Sequence, residues 1–161
     1  MINPEQITKF IIRPTLYKLC MLTDQLEHLL IKTIKNESNY GSKLVSDEGV
    51  GFGMYFMNSA VHAELWQIIL PKRLDILAMI STNFHIYRMQ EEERLIFDLE
   101  YSTLMAALHY ERIESKLPAN ADDNSISNHY ATFWNKSQYS NVFPINPNLS
   151  PVLTSKWDPP I

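Results

Sequence analysis

The run Asn36-Glu37-Ser38-Asn39-Tyr40-Gly41 holds the residue best placed for acid–base chemistry. It ends an amphipathic pattern that opens at Thr23, a natural N-cap, followed by Asp24 at the positive end of a helix dipole. On a helix from Asp24 to Asn39, with Gly41 as its C′ residue, Leu26, Leu30, Thr33 and Glu37 share one stripe. Leu29 and Ile34 lie beside it. Glu37 is then the last member of the buried face. The apolar wall and the negative helix end both disfavour its charged form, so a raised pKa is expected. A carboxyl that stays protonated near neutral pH is what a general acid requires. The competing reading is a solvated acid at a fraying helix end, the usual state of a Glu. Two neighbours weigh against it. Ser38 can hydrogen-bond the carboxylate, and Gly49, Gly51 and Gly53 alternate through Gly-Val-Gly-Phe-Gly-Met-Tyr, where backbone can approach a ligand or turn sharply.

The elements that must position this acid are mostly helical, around one small β-hairpin or flap over residues 42–58. Asn3 and Pro4 read as N-cap and N1 of a short helix to about Ile12, and Pro14 restarts a second one. After the flap, Ser59 can cap a helix from Ala60 to Leu70, and Pro71 opens another to about Ser81. His62 and Trp66 share a face of the first; a core pair and a sugar-stacking pair are both open, the core pair being favoured. Glu91-Glu92-Glu93 suits a solvated helix start. The longest periodic segment runs from Glu92 to about Ile113 and is expected to be a central buried helix, with the small pair Ala106-Ala107 allowing close packing. Asp122 or Asp123 caps a last helix to about Asn135, whose apolar side is Ile126, Tyr130, Phe133 and Trp134.

The chain of 161 residues, 45% apolar and 11% aromatic, is long enough for one proper core, placed over residues 1–137. From 138 to 161, five prolines interrupt a stretch that still carries Phe143, Ile145, Leu153 and Trp157. That composition predicts an extended arm that docks on something. A net charge of −4 gives no electrostatic case for nucleic acid or an anionic membrane. The lone Cys20 excludes an internal disulfide, and residues 1–10 lack a signal-peptide pattern. No apolar run approaches the ~18 residues of a membrane span. No cofactor is expected, and His109 lacks a second metal ligand at a sensible spacing.

Glu37-Ser38-x-x-Gly41, a Gly-rich hairpin and Gly53-Met54-Tyr55-Phe56-Met57 together resemble the lytic transglycosylases of lysozyme-like fold, in their phage virion-associated branch. Ile12-Arg13-Pro14-Thr15-Leu16, Leu29-Leu30-x-x-Thr33, Met105 to Tyr110, Leu117-Pro118, Asp122-Asp123 and Tyr130 to Trp134 extend the likeness over roughly residues 10 to 137. The resemblance implies a lysozyme-like domain that cuts the MurNAc–GlcNAc bond of peptidoglycan. Glu37 would be its acid, with Ser38, Gly53, Tyr55, Phe56 and Tyr110 about the substrate. In the family the Tyr at position 110 reaches the acid through its hydroxyl. Two places depart from the pattern. Phe56, Met57 and Asn58 stand where the family has Gln, Met and Glu, and Ala106-Ala107 stands where it has Ala-Arg. The implied setting is a phage tail or baseplate, with the glycan strand and, through the arm, other virion proteins as partners. The alternative is a non-catalytic tail or baseplate protein that keeps the fold without the activity.

Overall fold

Thr23 opens the longest helix among the described residues, α3 (Asp24–Ser38), its side chain accepting the Leu26 N–H at 3.1 Å. This is the predicted start. The helix stop is broader than a single glycine: Asn39, Tyr40 and Gly41 all adopt left-handed backbone, with φ of 48°, 57° and 75°. Asn tolerates that region, whereas Tyr needs support from its surroundings. The Tyr40 carbonyl has a partner there, accepting the Ile2 N–H at 2.8 Å. The computed structural model describes residues 1–113 and 115–135. The predicted arm over 138–161 and the last two residues of the predicted 1–137 domain lie outside the described residues.

Before α3, α1 (Pro4–Ile7) and α2 (Arg13–Lys18) are joined by a π-helical turn, Thr8–Ile12, into one continuous helical segment. Asn3 caps it as expected. Pro14 does not restart a helix, because the wider turn upstream absorbs its missing N–H.

After α3 comes the flap, an antiparallel pair of β1 (Gly51–Phe52) and β2 (Met57–Asn58), with Gly51 opposite Asn58 and Phe52 opposite Met57. Between them the chain turns through Gly53 at φ 75° and Phe56 at φ 49°, and the Phe56 N–H reaches the Gly53 carbonyl at 3.0 Å. A Cβ built on Gly53 would lie 2.2 Å from the Leu95 carbonyl oxygen, which is backbone and cannot step aside. Both the left-handed φ and the missing space demand glycine here. Gly53→Ala is therefore expected to lower stability by about 2–3 kcal/mol, read as a shifted urea midpoint with unchanged slope. A midpoint equal to that of the parent would mean that the flap does not pack on Leu95.

Asn58, extended and one residue ahead of the predicted cap, accepts the Ala60 N–H at 2.8 Å and starts α4 (Ser59–Glu64). A π-helical turn (Leu65–Ile69) and a 3-10 turn (Leu70–Lys72) continue it. Pro71 thus sits inside a turn, and the next helix, α5 (Leu74–Phe84), begins three residues later than predicted. The Glu92–Ile113 segment is two helices, α6 (Arg94–Phe97) and α7 (Leu99–Glu111). Asp98 divides them: it is extended, and its carboxylate caps α7 by accepting the Tyr101 N–H at 2.9 Å. From Tyr101 to Tyr110 every residue of α7 is buried, so this is the central helix. Ala106 and Ala107 are fully covered. Asp122 caps α8 (Asp123–Tyr130), which runs on into a π-helical turn, Ala131–Asn135. Among the described residues the fold is mainly helical with one small two-stranded sheet, and no helix is long and apolar enough to cross a membrane.

His62 and Trp66 belong to the core, and the sugar-stacking reading of that pair is overturned. Trp66 Nε1 donates to the Tyr101 hydroxyl at 2.8 Å, and His62 Nε2 lies 2.7 Å from the same oxygen. Burial lowers the His62 pKa from 6.5 to about 4 and, with the Arg112 charge beside it, lowers that of His109 to about 3. Above pH 6.5 both states of the chain leave these rings neutral. Below it the unfolded chain takes up protons that the folded one refuses. Stability should therefore fall as pH drops from 6.5 through about 4, by on the order of 3 kcal/mol from His62 alone. Melting temperatures across that window test this, and His62→Gln should flatten part of the slope. An equal slope in the variant would remove His62 from the account.

Candidate active site

Glu37 stands in the last turn of α3, four residues after Thr33, half-buried between α3 and α8. Two contacts lay α8 along α3. Near the start of α8, Asp123 pairs with Lys32 at 2.8 Å; at its end the Tyr130 hydroxyl donates to Glu37 Oε1 at 2.6 Å. Among the described residues Glu37 Oε2 accepts no hydrogen bond, which leaves one carboxyl oxygen for a ligand. Burial raises the Glu37 pKa, and the Tyr130 hydroxyl opposes this in part by favouring the carboxylate. The expected direction is the one found. Desolvation is the larger cause, and among the described residues Tyr130 is the single hydrogen-bond donor set against it.

The hydroxyl on the acid belongs to Tyr130, not to Tyr110. Tyr110 is buried in α7, and its hydroxyl shares a 2.7 Å hydrogen bond with Thr33 Oγ1, which itself donates to the Leu29 carbonyl. Since the Thr33 proton is committed to Leu29, Tyr110 is the donor in that pair. The Tyr110 ring packs 5.3 Å from Trp134 and 5.9 Å from His129, so it forms the wall behind the acid.

Ser38 does not face the carboxylate. Its hydroxyl donates to the Met54 carbonyl at 2.6 Å and accepts the Gly41 N–H at 2.8 Å. It thereby pins the flap to the end of the acid's helix. A serine that directly follows Glu37 points about 100° around the helix, away from the Glu37 face. Tyr55 is fully buried, its hydroxyl 3.0 Å from Thr103 Oγ1, and Gly53 is buried under Leu95. These three residues support the flap from inside. Phe56 is half-buried at the hairpin turn with left-handed backbone, a strained state for a bulky side chain. The structure thus brings Glu37, Thr33, Tyr110 and Tyr130 together and places Ser38, Gly53 and Tyr55 beneath the flap.

Tyr130 is the functional side chain that the sequence reading assigned only to an apolar face. The available signal was chemical: a buried Tyr on such a face needs a partner for its hydroxyl. Asp47 and Glu48 are exposed on the flap, and Asp47 is paired with Lys43 at 2.7 Å. A cavity of about 520 Å³ lies on the far side of Tyr110 and His129, between the first half of α3 and the start of α5. Glu37 does not line it, and Arg73, Asp75, Glu111 and Lys116 at its rim neutralise one another. Among the described residues no three His, Cys, Asp or Glu side chains are grouped to hold a metal. Comparison with protein-family models, curated proteins and solved structures returned no match.

Proposed function

We propose that the chain is a phage tail or baseplate protein whose lysozyme-like domain cleaves the MurNAc–GlcNAc bond of peptidoglycan by a lytic transglycosylase reaction. The observation that carries this is the state of Glu37: a half-buried carboxyl with raised pKa, one oxygen held by Tyr130 and the other without a hydrogen bond among the described residues, on the helix whose next residue, Ser38, holds the flap. Glu37 protonates the leaving glycosidic oxygen. The resulting carboxylate then takes the proton of the C6 hydroxyl, which closes on C1 and leaves a 1,6-anhydro sugar. That sequence needs one carboxylate, unlike ordinary glycosidases with two. The exposed, paired Asp47 is consistent with it. The arm over 138–161 supplies the contact to other virion proteins on grounds of composition.

The second reading is a non-catalytic tail or baseplate protein. It is favoured by Phe56 and Asn58, which stand where the family places its sugar-holding Gln and the following Glu. Here Asn58 is occupied in capping α4. Mass spectrometry of purified sacculi incubated with the protein separates the two readings. Anhydro-muropeptides support the enzyme, and an unaltered sacculus selects the structural protein.

A further inference from the structure

One buried imidazole joins the end of α8 to the centre of the fold. His109 on α7 has no exposed surface, and its Nε2 lies 2.8 Å from the Phe133 carbonyl oxygen. A carbonyl only accepts, so Nε2 carries the proton. Nδ1 is then the acceptor, and Arg112 Nη2 donates to it at 3.0 Å. A guanidinium has only donors, so both neighbours select the same neutral tautomer. The Trp134 ring meets the imidazole edge-on at 4.8 Å. Phe133 sits in the π-helical turn that directly continues α8, three residues after Tyr130. Lys32–Asp123 ties the start of that helix to α3, and His109–Phe133 ties its continuation to α7.

We propose that His109 is a positioning residue for the acid: by holding the Phe133 carbonyl it fixes the end of α8, so that the Tyr130 hydroxyl seats on Glu37. The proposal rests on the reading of Glu37 as the acid, but its geometry can be tested without turnover. A helix end that drifts admits water to the carboxyl. Because burial outweighs the Tyr130 hydrogen bond in setting the Glu37 ionisation, the drift must move that pKa down, toward an ordinary carboxylate.

The test uses the full chain with ¹³C-labelled Glu carboxyls, the Glu37 signal being assigned by its loss in Glu37→Gln. His109→Asn keeps an acceptor for Arg112 but is too short to reach Phe133; His109→Gln puts an N–H donor back where Nε2 was. The expected result is a Glu37 titration lowered in His109→Asn and unchanged in His109→Gln. On sacculi, kcat should fall about tenfold or more in His109→Asn with KM little changed, and the Gln variant should recover it. Titration of His109→Asn at the parent value, or an equal shift in both variants, overturns the proposal. If the parent cuts no sacculi while the Glu37 titration still follows the variants, the positioning role stands and the catalytic reading falls. Should neither variant fold, the ¹⁵N imidazole spectrum of the parent decides. A proton on Nε2 with Nδ1 bare supports the proposal, and a proton on Nδ1 overturns it.

Discussion

Glu37→Gln is expected to abolish peptidoglycan cleavage while leaving the fold intact. The amide has the shape of the acid, and its oxygen can still accept the Tyr130 hydroxyl at the place of Oε1. What it lacks is a proton to give, and general-acid assistance of this kind is commonly worth about 10²–10⁴-fold. The loss should appear in kcat, since an uncharged carboxyl and an amide bind a neutral sugar alike. A pH profile of the parent adds a second check. Burial keeps Glu37 protonated above the ordinary carboxylate range, so the rate should decline only as pH rises through that raised pKa. Sacculus digestion at the parental rate by Glu37→Gln would remove the residue from the mechanism. Absence of cleavage by the parent itself would leave the structural reading in possession.

The start of α3 and the caps at Asn3 and Asp122 were legible because capping is local: a side chain meets an N–H two or three residues on. The burial of Thr33 and Ile34 followed from helical periodicity in the same way. What could not be read were contacts with no sequence neighbourhood. Tyr130 lies 93 positions from Glu37, and nothing in either segment announces the other. Ser38 was misassigned for a related reason: its hydroxyl had a nearer charge in sequence but a better acceptor in space, the Met54 carbonyl. The break at Asp98 was concealed because apolar residues continue on both sides of it, although an Asp three residues ahead of a Tyr N–H is itself a cap signal. Glu64 and Arg112 are residue types that mostly stay at the surface, and the structure buries both.

That buried pair carries the largest expected effect on stability. Arg112 Nη1 lies 2.9 Å from Glu64 Oε1, with the two side chains only 4% and 6% exposed. Burial lowers the Arg112 pKa while the Glu64 carboxylate opposes the fall, so each charge offsets part of the desolvation of the other. Arg112→Met keeps much of the apolar stem but strands the Glu64 carboxylate in a dry site and strips His109 Nδ1 of its donor. Removing one member of such a pair typically costs about 3–5 kcal/mol. The double variant Glu64→Leu/Arg112→Met removes both charges and should recover much of that loss, since apolar side chains of similar volume often replace buried ion pairs at little cost. Urea unfolding of the parent, both single variants and the double gives the coupling energy directly. Strongly non-additive losses, with the double variant more stable than Arg112→Met alone, are the expected result. Additive losses would mean that water reaches the pair, and that the join between α4, which follows the flap, and α7 rests on apolar packing instead.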